Sequence, residues 1–201
     1  MLSAWLILLL STLAGLGPAR FVTDSQLETY TEPEAYEIYA VLLPRELPGE
    51  WGSIRLVVIK QEIDSPQGSS EKDLCIHGGR KFRKSWGSVL KNFLEVNQSA
   101  KQLVRRFPID KPYVLVPATV INSFFEKGAG GWKAFYARYP DSGGYIEVSA
   151  VGFNAEGTKA LVEVSHDCGG LCGGGTYHFL EKRAGKWEEV RVPATSCAWA
   201  S

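Results

Sequence analysis

The stretch that decides the fold is Tyr145–Val192, YIEVSAVGFNAEGTKALVEVSHDCGGLCGGGTYHFLEKRAGKWEEVRV. Apolar and polar residues alternate along it with the two-residue period of a β-strand. The alternating runs are 145–153, 159–167, 176–182 and 187–192. Turn-forming residues separate them, including Asn154 and Gly185. Four strands joined by short turns predict an antiparallel β-meander.

The alternation also predicts how the second and third strands pair. If Val164 and Phe179 lie opposite each other on the core face, every other pair in the hairpin is fixed. In that register His166 and His178 point to opposite faces of the sheet. A one-residue slip would bring the histidines together, but it would also set like charges opposite each other.

Helices are predicted in the first half of the chain. Thr31 is a capping residue, Pro33 suits a first helical turn, and an apolar face with helical spacing follows until Pro44. A second apolar face runs from Trp86 to about Asn97. Both segments predict amphipathic helices, the first one ending at Pro44.

Two further strands are predicted between and after these helices. Residues 54–63 are rich in β-branched side chains and predict a largely buried strand, which the loop 65–70 follows. Residues 113–120 predict an edge or bulged strand because Pro117 lacks a backbone donor. The predicted class is therefore α+β: one domain, residues 20–201, in which amphipathic helices of the N-terminal half pack on a C-terminal antiparallel meander.

The amino-terminal segment predicts export. Leu2 to Leu16 is apolar or small throughout, no charged side chain precedes Arg20, and small or helix-breaking residues close the run. The run is shorter than the ~20 apolar residues of a spanning helix. Residues 1–19 therefore predict a cleaved secretory signal peptide, with an uncleaved anchor as the alternative. The predicted location is extracytoplasmic, in a bacterial periplasm or secreted, with no transmembrane segment after cleavage.

The composition excludes some functions. The 201 residues carry 22 Lys and Arg against 22 Asp and Glu, a formal net charge of zero. Nucleic-acid binding normally needs a basic excess, so no nucleic-acid partner is expected. The chain has no Gly-x-Ser-x-Gly nucleophile motif and only three histidines. We therefore assign no catalytic residue, and the chain is more consistent with a binding protein than with an enzyme.

Four cysteines provide candidates for disulfides: Cys75, Cys168, Cys172 and Cys197. An even number of cysteines in an exported chain indicates two bridges. Three connectivities are open. A local Cys168–Cys172 bridge, which the flexible glycines between them permit, would leave Cys75 to pair with Cys197.

The segment 166–178 has a second interpretation. His166, Cys168, Cys172 and His178 are residue types that bind zinc or copper. Their spacing matches no common zinc signature. The same cysteines could form a thiol redox centre, although no helix follows to lower a thiol pKa. The favoured interpretation is a hairpin tip held by a disulfide, with no cofactor.

Two surface features could bind a partner. The basic run Arg80–Lys84, to which Lys101, Arg105 and Arg106 would add, could contact an anionic cell-envelope component, or it could be a solvated helix start. An aromatic set falls at helical spacing: Trp132, Phe135, Tyr136 and Tyr139. It favours a core-facing helix over a polysaccharide-binding platform.

Several of these motifs together resemble a family of exported bacterial proteins with a CGGLCGGG hairpin and no established activity. The motifs are Gly144–Asn154, Lys159–Val162, Cys168–Gly175 and Gly185–Trp187, with Tyr36–Tyr39 and Leu56–Ile59 further upstream. The resemblance implies a bacterial, extracytoplasmic setting and no particular substrate. The sequence thus predicts a non-catalytic binding or envelope-associated protein. Metal or thiol chemistry at 166–178 is the first alternative, and polysaccharide binding is the second.

Overall fold

The computed structural model describes residues 27–47, 51–64, 74, 76–195 and 198–200. The predicted signal peptide 1–19, the loop 65–70, Cys75 and Cys197 lie outside these ranges.

The helices are α1 (Pro33–Glu46), α2 (Arg80–Val96), α3 (Ala118–Ser123) and α4 (Trp132–Arg138), with a 3-10 turn at Trp51–Ser53. The strands are β1 (Glu28–Tyr30), β2 (Leu56–Lys60), β3 (Glu62–Ile63), β4 (His77–Gly78), β5 (Lys101–Leu103), β6 (Tyr113–Val116), β7 (Ser142–Val148), β8 (Gly152–Phe153), β9 (Lys159–Gly169), β10 (Cys172–Arg183), β11 (Lys186–Glu189), β12 (Ala194–Thr195) and β13 (Trp199–Ala200).

The main sheet has the strand order β11-β10-β9-β7-β2-β6. The predicted meander forms its antiparallel part, in which β9 pairs with β7, β8 and β10, and β10 pairs with β11 and β13. The predicted upstream strands extend it, because β2 lies parallel to both β7 and β6. The α+β class is therefore confirmed, and the sheet is mixed rather than antiparallel throughout.

Helices cover both faces of this sheet. On one face α1 packs over a core that includes Ile59, Ile146 and Val162. On the other face α2 packs over Leu161 and Phe179. Helices α3 and α4 cover the far end of that second face, where strands β2 and β6 contribute apolar side chains. Strand β9 therefore has buried apolar side chains on both faces, as strands covered by helices on two sides do.

This double coverage explains why the predicted hairpin register is wrong. Val164 pairs with Thr176, whereas Phe179 pairs with Leu161. Val164 lies in the core under α1, and Phe179 lies in the core under α2. The prediction placed both side chains on one core face, but each belongs to a different face, so the true pairing is shifted by three positions.

Helix α1 also departs from its predicted ends. Glu32 rather than Thr31 is the N-cap residue, and no side chain caps the helix. Pro33 occupies the first turn as predicted, but Pro44 lies inside the helix, which continues to Glu46. A proline removes one hydrogen bond from a helix interior. Here the loss falls in the last turn, where the buried Leu43 and Leu47 hold the helix on the sheet.

Helix α2 is confirmed, and it ends at Val96 with Asn97 as its C-cap residue. The Asn97 side chain donates to Phe93 O (2.8 Å) and Ala150 O (2.9 Å) and accepts from Ala150 N (2.8 Å). Gly152 lets the helix approach closely, because a Cβ atom there would lie 2.4 Å from Phe93 Cα. These contacts fix α2 over β8 and β9.

The remaining predicted strands differ from the structure in their bounds. The run 54–63 forms β2 and β3, which belong to different sheets, and the run 145–153 forms β7 and β8. Strand β6 is an edge strand as predicted, but it ends before Pro117, the N-cap of α3, so residues 118–120 are helical and not extended. Ala184 and Gly185, both with positive φ, turn β10 into β11. No helix within the described ranges is long and apolar enough to cross a membrane.

Candidate functional site

A polar cleft interrupts the sheet face that α2, α3 and α4 cover. It has a volume of about 120 Å³ and is lined by Glu62, Asp64, Glu147, Val148, Ser149, Glu163 and Ser165. Several of these residues lie at or just after the carboxyl ends of the parallel strands β2 and β7. In open sheets with parallel strands, ligands bind in a crevice at the strands' carboxyl ends. We call this cavity the acidic cleft.

One cationic group lies at the acidic cleft. Among the described side chains that line the cleft or contact its lining, only Lys60 is cationic. It is the last residue of β2 and is 8 % exposed. Its Nζ donates to a carboxylate oxygen of Asp64 and to Glu147 Oε2 at 3.1 Å. Burial lowers the pKa of Lys60, but the two carboxylates raise it by more, so the net pKa lies above the ordinary value. The ammonium therefore stays charged.

Glu147 is the partner of Lys60 on β7. Its carboxyl is partly buried, and burial raises its pKa above the ordinary value. The charge of Lys60 opposes that rise, while the negative charges of Asp64 and Asp167 add to it. The ion pair with Lys60 therefore offsets only part of the free energy that the Glu147 carboxylate loses when it leaves water.

Glu163 lies on the next strand, β9, diagonally across from Glu147, because Glu147 is paired with Ser165. Burial raises the pKa of Glu163, and the charge of Glu147 raises it further. The Tyr177 hydroxyl donates a hydrogen bond to Glu163, which acts in the opposite direction. The backbone N–H of Glu163 donates to Ser149 Oγ at 2.8 Å. Glu163 is thus held by neutral groups and has no cationic partner in the described part of the chain.

Glu62 and Asp64 complete the cleft on the loop side. Glu62 Oε2 accepts a hydrogen bond from the Ala118 N–H at 2.7 Å, so it ties the start of α3 to the cleft wall. The Asp64 side chain is 61 % exposed and lies at the opening. Four carboxylates therefore line this cavity, and one ammonium, that of Lys60, contacts two of them. Such a set attracts a positively charged group and repels an anion.

The sequence-predicted metal ligands do not come together. Cys168 and Cys172 form a disulfide, so the predicted local bridge is confirmed. His166 pairs with Gly174 and His178 with Val162, which places both histidines on the face under α1, four residues apart along β9. The expectation that they point to opposite faces is therefore wrong, because it followed from the wrong register. At about 3.3 Å per residue their positions are roughly 13 Å apart. The described residues contain no group of three or more His, Cys, Asp or Glu side chains arranged to hold a metal ion.

His178 instead belongs to a charged cluster beneath α1. It is 3 % exposed, its Nδ1 lies 2.8 Å from Glu189 Oε1, and its Nε2 lies 3.5 Å from Glu46 Oε1. Arg45 contacts the same Glu189 at 3.1 Å. We call His178, Glu46, Glu189 and Arg45 the His178 cluster. It joins α1 to strands β10 and β11.

Cys75 and Cys197 lie outside the described residues, so their bridge stays a prediction. Strand β4 pairs with β12 so that Gly78 is opposite Ala194 and His77 opposite Thr195. Because Cys168 and Cys172 are linked to each other, Cys75 and Cys197 are the two cysteines left for a second bridge. Peptide mapping of the non-reduced protein would test this prediction.

The aromatic residues of α4 face inward, as the helical spacing predicted. Phe135 is fully buried, and Tyr139 is 7 % exposed. Trp132 and Tyr136 are half-buried, and Trp132 stacks on Tyr145 with ring centroids 5.8 Å apart. The indole face needed for a flat sugar-binding platform is therefore already in contact with another ring.

The basic residues divide into two groups. Arg80–Lys84 is the start of α2, as one of the two interpretations predicted. Lys101, Arg105 and Arg106 follow the other end of the same helix, which at ~1.5 Å per residue is about 25 Å long. They do not add to the first group: Lys101 contacts Glu28, and the two arginines lie over tyrosine rings.

Three residues at the cleft were not predicted from the sequence: Lys60, Glu147 and Glu163. Each follows or interrupts an apolar run: Lys60 ends the run LVVI, and Glu147 lies between Ile146 and Val148. The signal was present, because a charged residue within a strand that is buried on both faces must line a cavity or an ion pair. Alternation alone instead assigns Glu147 and Glu163 to the solvated face of a strand, and it does not address Lys60, which lies in a run predicted to be largely buried.

Comparisons with known proteins assign no function. No protein-family model, no curated protein and no solved structure matches the chain at a significant level. The functional argument therefore depends on the geometry of the acidic cleft and on the chemistry of its side chains.

Proposed function

We propose that this protein is an exported, non-catalytic binding protein and that the acidic cleft receives a positively charged group of a small molecule. The observation that carries the proposal is the position of the cleft. A charged cavity opens at the carboxyl ends of parallel strands, on a sheet face that helices otherwise cover with apolar side chains. Cavities of this kind, with convergent polar groups and shifted pKa values, are the preferred ligand sites of proteins with such sheets.

The charges of the lining favour a cation. Four carboxylates line the cleft, those of Glu62, Asp64, Glu147 and Glu163. The Lys60 ammonium contacts two of them, Asp64 and Glu147. Glu163 has a raised pKa and lacks a cationic partner among the described residues. A bound amine or guanidinium would pair with Glu163 and would favour its ionised form.

The size of the cleft limits the ligand. Its volume of about 120 Å³ is small beside the roughly 300–1,000 Å³ of pockets that hold drug-sized ligands. That space holds an amine or guanidinium head group and not a folded partner. The remainder of a longer ligand would extend past Asp64, which is exposed at the opening.

The positions of the reactive side chains favour binding without chemistry. Cys168 and Cys172 are linked to each other, and His166 and His178 lie on the opposite face of the sheet. The ionisable groups at the cleft are carboxylates, the Lys60 ammonium and the Tyr177 phenol. The signal-like segment 1–19, the Cys168–Cys172 bridge and the resemblance to exported bacterial proteins support an extracytoplasmic location.

A ligand panel tests the proposal. Putrescine, spermidine, agmatine and arginine would be titrated into the purified protein by calorimetry, with glutamate and citrate as anionic controls. We expect at least one cationic probe to bind and to raise the melting temperature, because binding to the folded state alone stabilises it. Mass spectrometry of the recovered probe should find it unchanged. Chemical conversion of the probe would contradict the non-catalytic part of the proposal.

Matched variants locate the binding. Glu163→Gln removes a cleft charge with little change of shape and should weaken the bound probe at least tenfold. Glu126→Gln, at an exposed position after α3, makes the same chemical change away from the cleft and should leave binding unaltered. Equal weakening by both variants, or no binding of any cationic probe, would refute the assignment of the cleft.

Export requires a separate test. The full chain would be expressed in a bacterial host, and the amino terminus of the mature protein would be sequenced from the periplasmic fraction. We expect a new amino terminus near residue 20. Recovery of the intact chain only in the cytoplasm would contradict export. It would not affect the proposal for the acidic cleft, which the ligand titrations test.

A further inference from the structure

A second cavity lies on the opposite side of α2 from the acidic cleft, at the start of that helix. It has a volume of about 240 Å³. Its charged lining comes from separate elements and consists of Lys81, Lys159, Arg183, Arg191 and Glu181. Its other lining residues are Phe82, Ser85, Trp86, Val190, Val192 and Pro193. We call it the basic cavity.

The positive charge of the basic cavity is only partly neutralised. Glu181 is its one lining carboxylate, and it contacts both Lys159 (3.6 Å) and Arg183 (3.0 Å). Lys81 and Arg191 have no carboxylate partner in the part of the chain that the structure describes. Arg183 also lies 3.7 Å from Glu188, which does not line the cavity. The lining itself therefore has four cations and one carboxylate, and a site with this imbalance concentrates anionic ligands.

One of the four cations, Lys159, is held in place rather than dispersed in solvent. Trp86 is 3 % exposed and lies beneath Lys159, whose Nζ is 4.9 Å from the indole centroid. Lys159 Nζ also donates to Ser85 O at 3.3 Å. Fixed ammonium positions lower the entropy that binding costs, because fewer rotamers must be ordered.

Further cations continue the positive surface outside the cavity. Arg80, Arg83 and Lys84 are exposed on the first turns of α2, beside Lys81. Cations at a helix N-terminus oppose the helix dipole, so helix stability does not account for this run. A ligand that extends from the cavity along the helix does account for it.

We propose that the basic cavity and the adjoining residues 80–84 bind an anionic polymer of the cell envelope, one whose repeating phosphate or carboxylate groups reach several of these cations at once. A polymer fits better than a lipid surface for two reasons. The cavity is recessed, and the exposed large apolar side chains of the described residues lie elsewhere, at Leu27, Val120, Phe125 and Leu171. This proposal does not depend on the ligand of the acidic cleft.

Polyanion titrations test it with the full mature chain. Short-chain polyphosphate and polygalacturonate would be the phosphate and carboxylate probes, and vesicles of phosphatidylglycerol would be the lipid probe. We expect at least one soluble polymer to bind, with an affinity that falls steeply as salt increases because several cations release counterions. Binding to the vesicles without binding to either polymer would overturn the assignment to a polymer.

Charge-matched variants separate the cavity from the overall charge of the protein. The double variant Lys81→Gln, Arg191→Gln removes two cavity cations at exposed positions and should weaken the polymer at least tenfold. Its control is the double variant Lys127→Gln, Lys133→Gln, which removes two exposed cations. Lys127 lies between α3 and α4, and Lys133 lies on α4. Unchanged binding by the first variant, or equal weakening by both, would overturn the proposal. Melting temperatures of both variants should match that of the parent protein, which shows that they fold.

Discussion

The His178 cluster and the acidic cleft lie on opposite faces of one sheet, and both combine partly buried carboxylates with a cationic or basic side chain. They differ in what covers them. Helix α1 closes the His178 cluster and itself supplies Glu46 and Arg45 to it. Among the described residues, none from a helix lines the acidic cleft, and the lining comes from strands and from the loops after β3 and β7.

This difference indicates two roles for charged side chains: in one region they stabilise the fold, and in the other they are available to a ligand. In the His178 cluster Glu189 contacts both Arg45 and His178, and Glu46 lies 3.5 Å from His178. These contacts join α1 to β10 and β11. In the acidic cleft Glu163 has neutral partners only, and burial raises its pKa. Buried charge without compensation lowers stability, and proteins retain it where function requires it. We therefore expect substitutions in the two regions to separate stability from binding.

The largest expected effect follows from removing Lys60. Lys60→Met leaves the Glu147 carboxylate buried without its cation, and loss of one partner of a buried pair costs about 3 kcal/mol in unfolding free energy. The loss should shrink as the pH falls and Glu147 takes up a proton. Urea denaturation at neutral and at acidic pH measures both values. Lys127→Met, at an exposed site, should change stability by less than about 0.5 kcal/mol.

A smaller effect is expected beneath α1. His178→Leu removes the group that contacts Glu189 and Glu46. Glu189 keeps Arg45 as a partner, and loss of the hydrogen bond made by a buried side chain costs about 1–2 kcal/mol. The cationic probe that binds the acidic cleft should keep its affinity, because His178 lies on the other face. A melting curve and a calorimetric titration measure the two effects. Weaker probe binding at unchanged stability would reverse the roles given to the two regions.

The comparison also shows which parts of the fold follow from sequence. Residues 145–192 predict the meander because their alternation and turns are local, and the turn at Ala184–Gly185 appears as expected. The parallel pairing of β2 with β7 depends on segments about 90 residues apart, for which no local pattern exists. The register of β9 with β10 could not be predicted either, because it depends on a second layer from a distant part of the chain. Helix α2 covers a sheet face that the alternation alone predicts to be polar.

The candidate site was predicted less well than the fold. The Cys168–Cys172 bridge followed from a spacing of four residues and flexible glycines. The acidic cleft draws on β2, β7 and β9, and its residues meet only through the strand order. Glu147 and Glu163 therefore look like ordinary solvated positions until the second layer of helices is known.

The smallest expected effect on stability has the opposite sign, and it concerns Glu163. Its folded-state pKa is raised above the ordinary value of 4.5. The folded state then binds more protons than the unfolded state in the pH range above 4.5, so stability falls as the pH rises through that range. Glu147 contributes in the same direction.

Glu163→Gln removes this contribution while keeping an oxygen that accepts from Tyr177. The variant should be more stable than the parent by about 1 kcal/mol at neutral pH, a typical gain when a functional site is relaxed. The difference should vanish near pH 4, where the parent carboxyl is protonated. Urea denaturation across this pH range measures it, and Glu126→Gln should follow the parent at every pH. A variant that gains stability and loses the cationic probe identifies Glu163 as a binding residue, whereas a loss of stability at neutral pH would place it with the structural charges of the His178 cluster.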